Sequence, residues 1–170
     1  LKDVPAMKES TGGVTISGGE PLMQNRFLKE VLMCLKQQNI HTCVDTSGYA
    51  NKQIIQDILP YTDLFLYDLK HYDNKKHIIN TGVSLQPILN NLNGIMSTDT
   101  KLWLRIPIIP EVNDLHEDKY GFLYTIQKMR RKPDQIHLLA YHNIAQNKYN
   151  QFKIDHKYKP NSRVDDTILR

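Results

Sequence analysis

Two kinds of apolar pattern alternate along the chain. Val14-Thr15-Ile16-Ser17 is a short β-prone run with glycine pairs on both sides, and between Gln24 and Gln38 the residues Phe27, Leu28, Val31, Leu32 and Leu35 recur at helical spacing. The order then repeats. His41-Thr42-Cys43-Val44-Asp45-Thr46 reads as a strand broken by Ser47-Gly48, and Ile54, Ile55, Ile58 and Leu59 read as a helical stripe stopped at Pro60. Asp63 to Asp68 is a nearly continuous apolar run, the pattern of a strand covered on both faces. Helical pieces near Asn74 to Ile79 and Gln86 to Ser97 follow, then a strand over Lys101 to Pro107, a helix over Glu117 to Arg130 and a fifth strand over Gln135 to Leu139. Such alternation predicts parallel strands joined by right-handed helical crossovers. The predicted core includes Phe27, Val31, Leu32, Leu35 and Trp103.

Polar residues collect where these strands end. Gly18-Gly19-Glu20, Asp45-Thr46-Ser47-Gly48, Asp68-Leu69-Lys70, the segment from Arg105 to Asp114, and Tyr141-His142 each close a predicted strand. In parallel α/β architectures the carboxyl ends of the strands form the ligand face, so five segments converge on one mouth. Two glycines let backbone approach a ligand, and a carboxylate beside them is suited to an ammonium group. The opening strand therefore reads as a grip for an amino-acid-like ligand. The plainer alternatives are that Gly12, Gly13, Gly18 and Gly19 only bound a buried strand, and that Asp45 and Asp68 only cap the helices after them. The other six histidines share no ligand spacing, which leaves His142 as the functional candidate.

Composition narrows the picture. With 170 residues, 40% hydrophobic and 24% charged, the chain has enough apolar material for one domain with a real core, about residues 12 to 145, followed by a polar tail from 146 to 170. A net charge of +4 spread over scattered lysines gives a nucleic-acid reading little support. No run is long enough for a membrane span and no secretory leader opens the sequence, so a cytoplasmic setting is expected. Cys34 and Cys43 lack any close thiol spacing and read as two buried thiols.

The segment Gly13-Val14-Thr15-Ile16-Ser17-Gly18-Gly19-Glu20-Pro21-Leu22 resembles a conserved stretch of glycyl-radical-enzyme activating enzymes, members of the radical S-adenosylmethionine superfamily. The resemblance continues through Asp45-Thr46-Ser47-Gly48-Tyr49-Ala50, Asp68-Leu69-Lys70, His77, Thr81-Gly82-Val83-Ser84, Ile88-Leu89, Asn91-Leu92, Arg105-Ile106-Pro107 and Asn113-Asp114, over roughly residues 3 to 158. It implies a partial (β/α)6 barrel of parallel strands. It also implies a reaction: a [4Fe-4S] cluster chelates S-adenosylmethionine and cleaves it reductively, and the resulting 5'-deoxyadenosyl radical takes hydrogen from a glycine of a partner enzyme, pyruvate formate-lyase or a relative. By the same resemblance, Gly18, Gly19 and Glu20 hold the methionine amino group, Asp45 and Thr46 sit at a possible monovalent-cation site, and Asp68, Leu69 and Lys70 lie beneath the methionyl portion. His142 approaches from the last strand, and Arg105 is a strand-end arginine without an assigned contact. A glycyl radical enzyme and an electron donor such as flavodoxin or ferredoxin are the implied partners.

The sequence departs from this family at defined places. The C-x3-C-x2-C trio belongs after a first barrel strand well upstream of Gly18, and only seventeen residues precede Gly18. Neither Cys34 nor Cys43 can replace it, since cluster thiolates converge from one loop. The expectation is a truncated chain, first strand and cluster loop missing, inactive alone, with the cluster bound only in the intact protein; a cluster-free module that binds S-adenosylmethionine or the partner is the alternative. The opening on Leu1 and the unfinished helical pattern of Val164 to Arg170 fit a chain cut at both ends. Loss of the first strand should leave Val14 to Ser17 as an unpaired apolar edge that residues 1 to 11 cover, or that self-associates. Glu111 stands where the family places glycine, and Ala140 and Ala145 replace the proline and glycine flanking His142.

Overall fold

The computed structural model describes residues 3–10 and 12–141. The expectations for His142, Ala145 and the polar tail lie outside the described residues. The elements run α1 (Val4–Glu9), β1 (Gly13–Ile16), α2 (Asn25–Gln37), β2 (His41–Thr46), α3 (Lys52–Ile58), β3 (Leu64–Asp68), α4 (Asn74–Thr81), α5 (Leu85–Ile95), β4 (Lys101–Ile108), α6 (His116–Gln127) and β5 (Gln135–Ala140). Every strand pairs in parallel with its sequence neighbour, in the order β1-β2-β3-β4-β5. This is the predicted α/β alternation. Helix α1 was not anticipated; Pro5 in its first turn presets a helical φ there.

Register assigns each strand residue to one of two faces. Thr42, Val44 and Thr46 of β2, Phe65 and Tyr67 of β3, and Leu102, Leu104, Ile106 and Ile108 of β4 point to one face and are buried. Helices α2, α3 and α5 close over that face with Leu28, Leu32, Ile55, Ile58, Ile88, Leu92 and Ile95, and Leu69 and Phe122 join the same core. Asp45, Leu66, Asp68, Trp103 and Arg105 occupy the opposite face, where all are only half-buried. The run from Asp63 to Asp68 is thus covered on both faces at Leu64 and Phe65, and on one face only from Leu66 onward.

Four further expectations are corrected. Phe27 is exposed and Val31 only half-buried, because α2 turns Leu28, Leu32 and Leu35 toward the sheet. Trp103 is half-buried, its ring 5.2 Å from that of His137. Cys43 is buried in β2, where desolvation pushes its thiol pKa up, whereas Cys34 is exposed on α2. At the sheet margin, β1 bonds to β2 alone; Gly13 and Thr15 are exposed and Val14 and Ile16 half-buried, so this edge is mixed rather than apolar. The more apolar margin is β5, with Ile136, Leu138 and Leu139 all exposed.

Candidate functional site

Each strand of the first four delivers its last residues to one end of the sheet. Gly18 follows β1 with φ at +128°, in space that would admit a side chain but in a conformation an L-residue rarely adopts, so the requirement for glycine is conformational. Glu20 then caps a short 3-10 turn over Pro21–Gln24, accepting from the Leu22 amide at 3.2 Å. Its carboxylate also accepts from the Thr46 hydroxyl at 2.6 Å, the Ser47 amide at 2.9 Å and the Ser47 hydroxyl. A carboxylate offers about four acceptor positions. Glu20 is therefore the knot that ties the β1 turn to the β2 turn.

A second network crosses the adjoining strands. The Arg105 guanidinium forks onto both oxygens of Asp45, with Nη1 to Oδ2 at 3.1 Å, and its Nε donates to Asp68 Oδ1 at 2.8 Å. Ser17 adds a hydroxyl bond to Asp45 Oδ2 at 3.1 Å, so one polar chain links the ends of β1, β2, β3 and β4. Planar bidentate pairing of this kind specifies geometry as well as charge. Burial pushes the Asp68 carboxyl above its usual range, with the Arg105 guanidinium pulling the other way. For Arg105, burial disfavours the charge, but the Asp68 and Asp45 carboxylates outweigh it and hold the pKa above the ordinary arginine value.

These groups enclose a polar hollow of about 280 Å³ lined by Ser17 to Glu20, Asp45 to Ser47, Asp68, Lys70 and Arg105. A neighbouring hollow of about 210 Å³ shares Glu20, Ser47, Asp68 and Lys70 and extends to Met23, Tyr49 and His77. Together they fall within the roughly 300–1,000 Å³ typical of small-molecule sites. A larger hollow, about 760 Å³, lies between α3 and α5 and shares only the rim residues Met23 and Tyr49 with this site. Lys70 is exposed, and its ammonium forms no ion pair with a described carboxylate.

The structure brings together Gly18, Gly19, Glu20, Asp45, Thr46, Asp68, Lys70 and Arg105. Leu69 differs: its side chain is fully buried in the core, while its amide donates to the Arg105 carbonyl at 2.9 Å. Sequence reading missed the tethers. Ser17 and Ser47 orient the carboxylates, and buried Asn113 accepts from the Ile109 amide and donates to the carbonyls of Lys70 and Pro107. The Thr-Ser-Gly run at 46–48 was the available signal for Ser47, since a hydroxyl at a turn readily reaches a neighbouring group.

Among the described residues no cluster of three or more histidine, cysteine or acidic side chains could hold a metal, and Cys34 and Cys43 lie on a helix and inside a strand. They do not fit an iron–sulfur cluster. A monovalent cation beside Asp45 likewise finds no support, since both Asp45 oxygens already receive donors from Arg105 and Ser17. Among the described residues, no helix is long and apolar enough to cross a membrane.

Residues 1–123 match the Radical SAM superfamily. The choline trimethylamine-lyase activating enzyme of Oleidesulfovibrio alaskensis is 34% identical over 99% of this chain and 55% of its own length. The pyruvate formate-lyase-activating enzyme of Clostridium pasteurianum is 36% identical over 97% of this chain and 68% of its own. In structure, a domain of the pyruvate-formate lyase-activating enzyme of Bacteroides vulgatus superposes with a TM-score of 0.71 at 35% identity, covering 78% of this chain and 82% of that one. The chain belongs to the radical SAM superfamily and, within it, to the activating enzymes of glycyl radical enzymes. It spans about half the length of several of the relatives it matches.

Proposed function

We propose that these strand ends form the S-adenosylmethionine-holding part of an oxidoreductase that activates a glycyl radical enzyme. The observation that carries the reading is one polar hollow uniting Glu20, Lys70 and the Asp45–Arg105–Asp68 network. Glu20 is the partner for the ligand ammonium. A ligand ammonium displaces one of its present donors, and the Ser47 hydroxyl can rotate away without moving backbone. Lys70, unpaired among the described residues, is the partner for the ligand carboxylate. Arg105 offsets one of the two charges of Asp45 and Asp68, which limits the negative charge facing that carboxylate.

In this class a [4Fe-4S] cluster supplies the electron for cleaving the sulfonium, and the hydrogen is then taken from a glycine of the partner. The described residues do not fit that cluster. The partner is a glycyl radical enzyme of the kind named in the relatives, such as pyruvate formate-lyase or choline trimethylamine-lyase, with a flavodoxin or ferredoxin as electron donor. The placement of both described cysteines favours a second reading, a cluster-free module that holds S-adenosylmethionine or the partner.

Calorimetric titration with S-adenosylmethionine, on the natural protein before and after treatment with iron and sulfide, separates these readings. Glu20→Gln should weaken binding about tenfold or more, the worth of one charge-assisted hydrogen bond. Unchanged affinity in that variant removes the ligand role of Glu20. Ligand binding without iron uptake selects the cluster-free module.

A further inference from the structure

Buried Asn91 lies on α5, across a helix–sheet boundary from the ligand hollow, yet its Nδ2 donates to the Gly48 carbonyl at 2.9 Å and to the Ala50 carbonyl at 2.8 Å. Both amide hydrogens are thus spent on the turn that follows β2. The same turn places the Ser47 amide and hydroxyl on Glu20, and the Gly48 amide on the Thr46 hydroxyl at 2.9 Å, which in turn donates to Glu20. Gly48 has φ at +73°, and a Cβ there would lie 1.8 Å from the Tyr67 hydroxyl. That hydroxyl donates at 2.7 Å to the Ile88 carbonyl, one turn before Asn91 on α5. Burial, with the Glu20 charge as a lesser cause, raises the Tyr67 pKa well above its usual value and keeps it a donor. The turn is therefore pressed onto Tyr67 from above and pulled toward α5 by Asn91.

We infer that Asn91 is a positioning residue: it holds the Ser47–Ala50 turn at the height at which Thr46 and Ser47 orient the Glu20 carboxylate toward its ligand. Its neighbours in α5, Ile88, Leu92 and Ile95, are apolar and cannot replace the two donors. Removing those donors leaves the Gly48 carbonyl with the Ala50 amide alone and takes the side-chain donor from the half-buried Ala50 carbonyl, and the turn relaxes outward to reach water. The role in ligand binding rests on the reading of Glu20 as the ammonium partner; the role in fixing the turn does not.

Asn91→Asp keeps the volume and loses the two donors. Hydrogen exchange followed residue by residue is expected to show the Ser47 and Gly48 amides exchanging at least tenfold faster in N91D, with the Leu69 and Asp134 amides, bonded to β4 carbonyls, unchanged. Uniform acceleration, or none, overturns the inference. Asn91→Ser, with one donor, should be intermediate and serves if N91D fails to fold. In S-adenosylmethionine titrations of the natural protein, N91D should bind about tenfold more weakly, while N91D/E20Q should bind no more weakly than E20Q. Losses that multiply in the double variant assign Asn91 a general structural role and overturn the ligand part. A parent protein that fails to bind S-adenosylmethionine sinks the functional reading, and the exchange experiment still decides the turn.

Discussion

The ends of β1 to β4 and the flank formed by β5 and α6 are held by different means. At the centre, Val44, Phe65, Tyr67, Leu102 and Leu104 are sealed under α2, α3 and α5, and the polar network crosses four strands directly above them. On the flank, Ile136, Leu138 and Leu139 of β5 and Tyr120, Leu123 and Tyr124 of α6 are exposed. Helix α6 buries only Asp118 and Phe122, and Asp118 accepts from the Tyr72 hydroxyl, the Lys76 ammonium and the Leu115 amide. One region is fastened by apolar packing; in the other, β5 is held by its ladder with β4, and α6 by Phe122 and a single buried carboxylate. The ligand hollow stands over the first, where a rigid floor can fix side-chain positions.

The sharpest test of this contrast is at the centre. Gly48→Ala forces a methyl into the Tyr67 ring at a left-handed φ, and should cost about 3–5 kcal/mol in chemical denaturation, combining overpacking with backbone strain. Next, Leu104→Ala in β4 should cost about 3 kcal/mol, whereas Leu138→Ala in β5 should cost less than about 1 kcal/mol, since Leu138 is 42% exposed. Equal costs would abolish the distinction between centre and flank.

The attachment of α6 can be probed by pH. His71 is buried against Tyr72 and Phe122, with Asp118, Lys76 and Asp73 around it; its Nδ1 accepts from the Asp73 amide, and its Nε2 lies 4.0 Å from Asp118. Desolvation pushes its pKa below the ordinary value, so the native chain keeps it neutral where the unfolded chain has begun to protonate. Its contribution to stability is complete above about pH 6.5 and is lost as pH falls from there through the lowered folded value, by at most about 1.4 kcal/mol per pH unit. Thermal melts from pH 7.5 to 5 should show this loss, and His71→Gln should flatten it. An unchanged slope in the variant places the proton uptake elsewhere.

The smallest effect is expected at Glu111, which keeps φ at +65° in the loop after β4, a left-handed conformation that favours glycine. Left-handed backbone costs an L-residue about 1–2 kcal/mol, partly offset by the entropy glycine loses on folding. Glu111→Gly should therefore raise stability by less than about 1 kcal/mol, and a net loss would show that a side-chain contact of Glu111 outweighs the strain.

Element type was legible in the residues wherever the period was clear. The β-branched run His41 to Thr46 forms a strand with those bounds, and the apolar stripe of α2 ends within a residue of its expected limits. Facing was harder to read. Phe27 and Leu28 are equally apolar neighbours, yet only Leu28 meets the sheet, because the azimuth of α2 depends on what it packs against. The strand ends were legible as chemistry at Glu20, Asp45, Asp68, Lys70 and Arg105, whose charges stand out after apolar runs. The roles of Asn91 and Ser47 were not, because a neutral side chain acquires its role only from the carbonyl or carboxylate brought to it.

The order of residues alone determined that strands alternate with helices, that they run parallel, and that charged groups fall at the strands' carboxyl ends, since these follow from local periodicity and short connections. Tertiary structure decided which charges meet. Arg105 finds Asp45 sixty residues away and Asp68 thirty-seven residues away because parallel register sets their strand ends side by side on one sheet face. It also decided that Glu20 would be braced by Thr46 and Ser47 and that Asn91 would hold their turn. Hydrogen bonds of that range depend on the packing of α5 against the sheet, which no local pattern encodes.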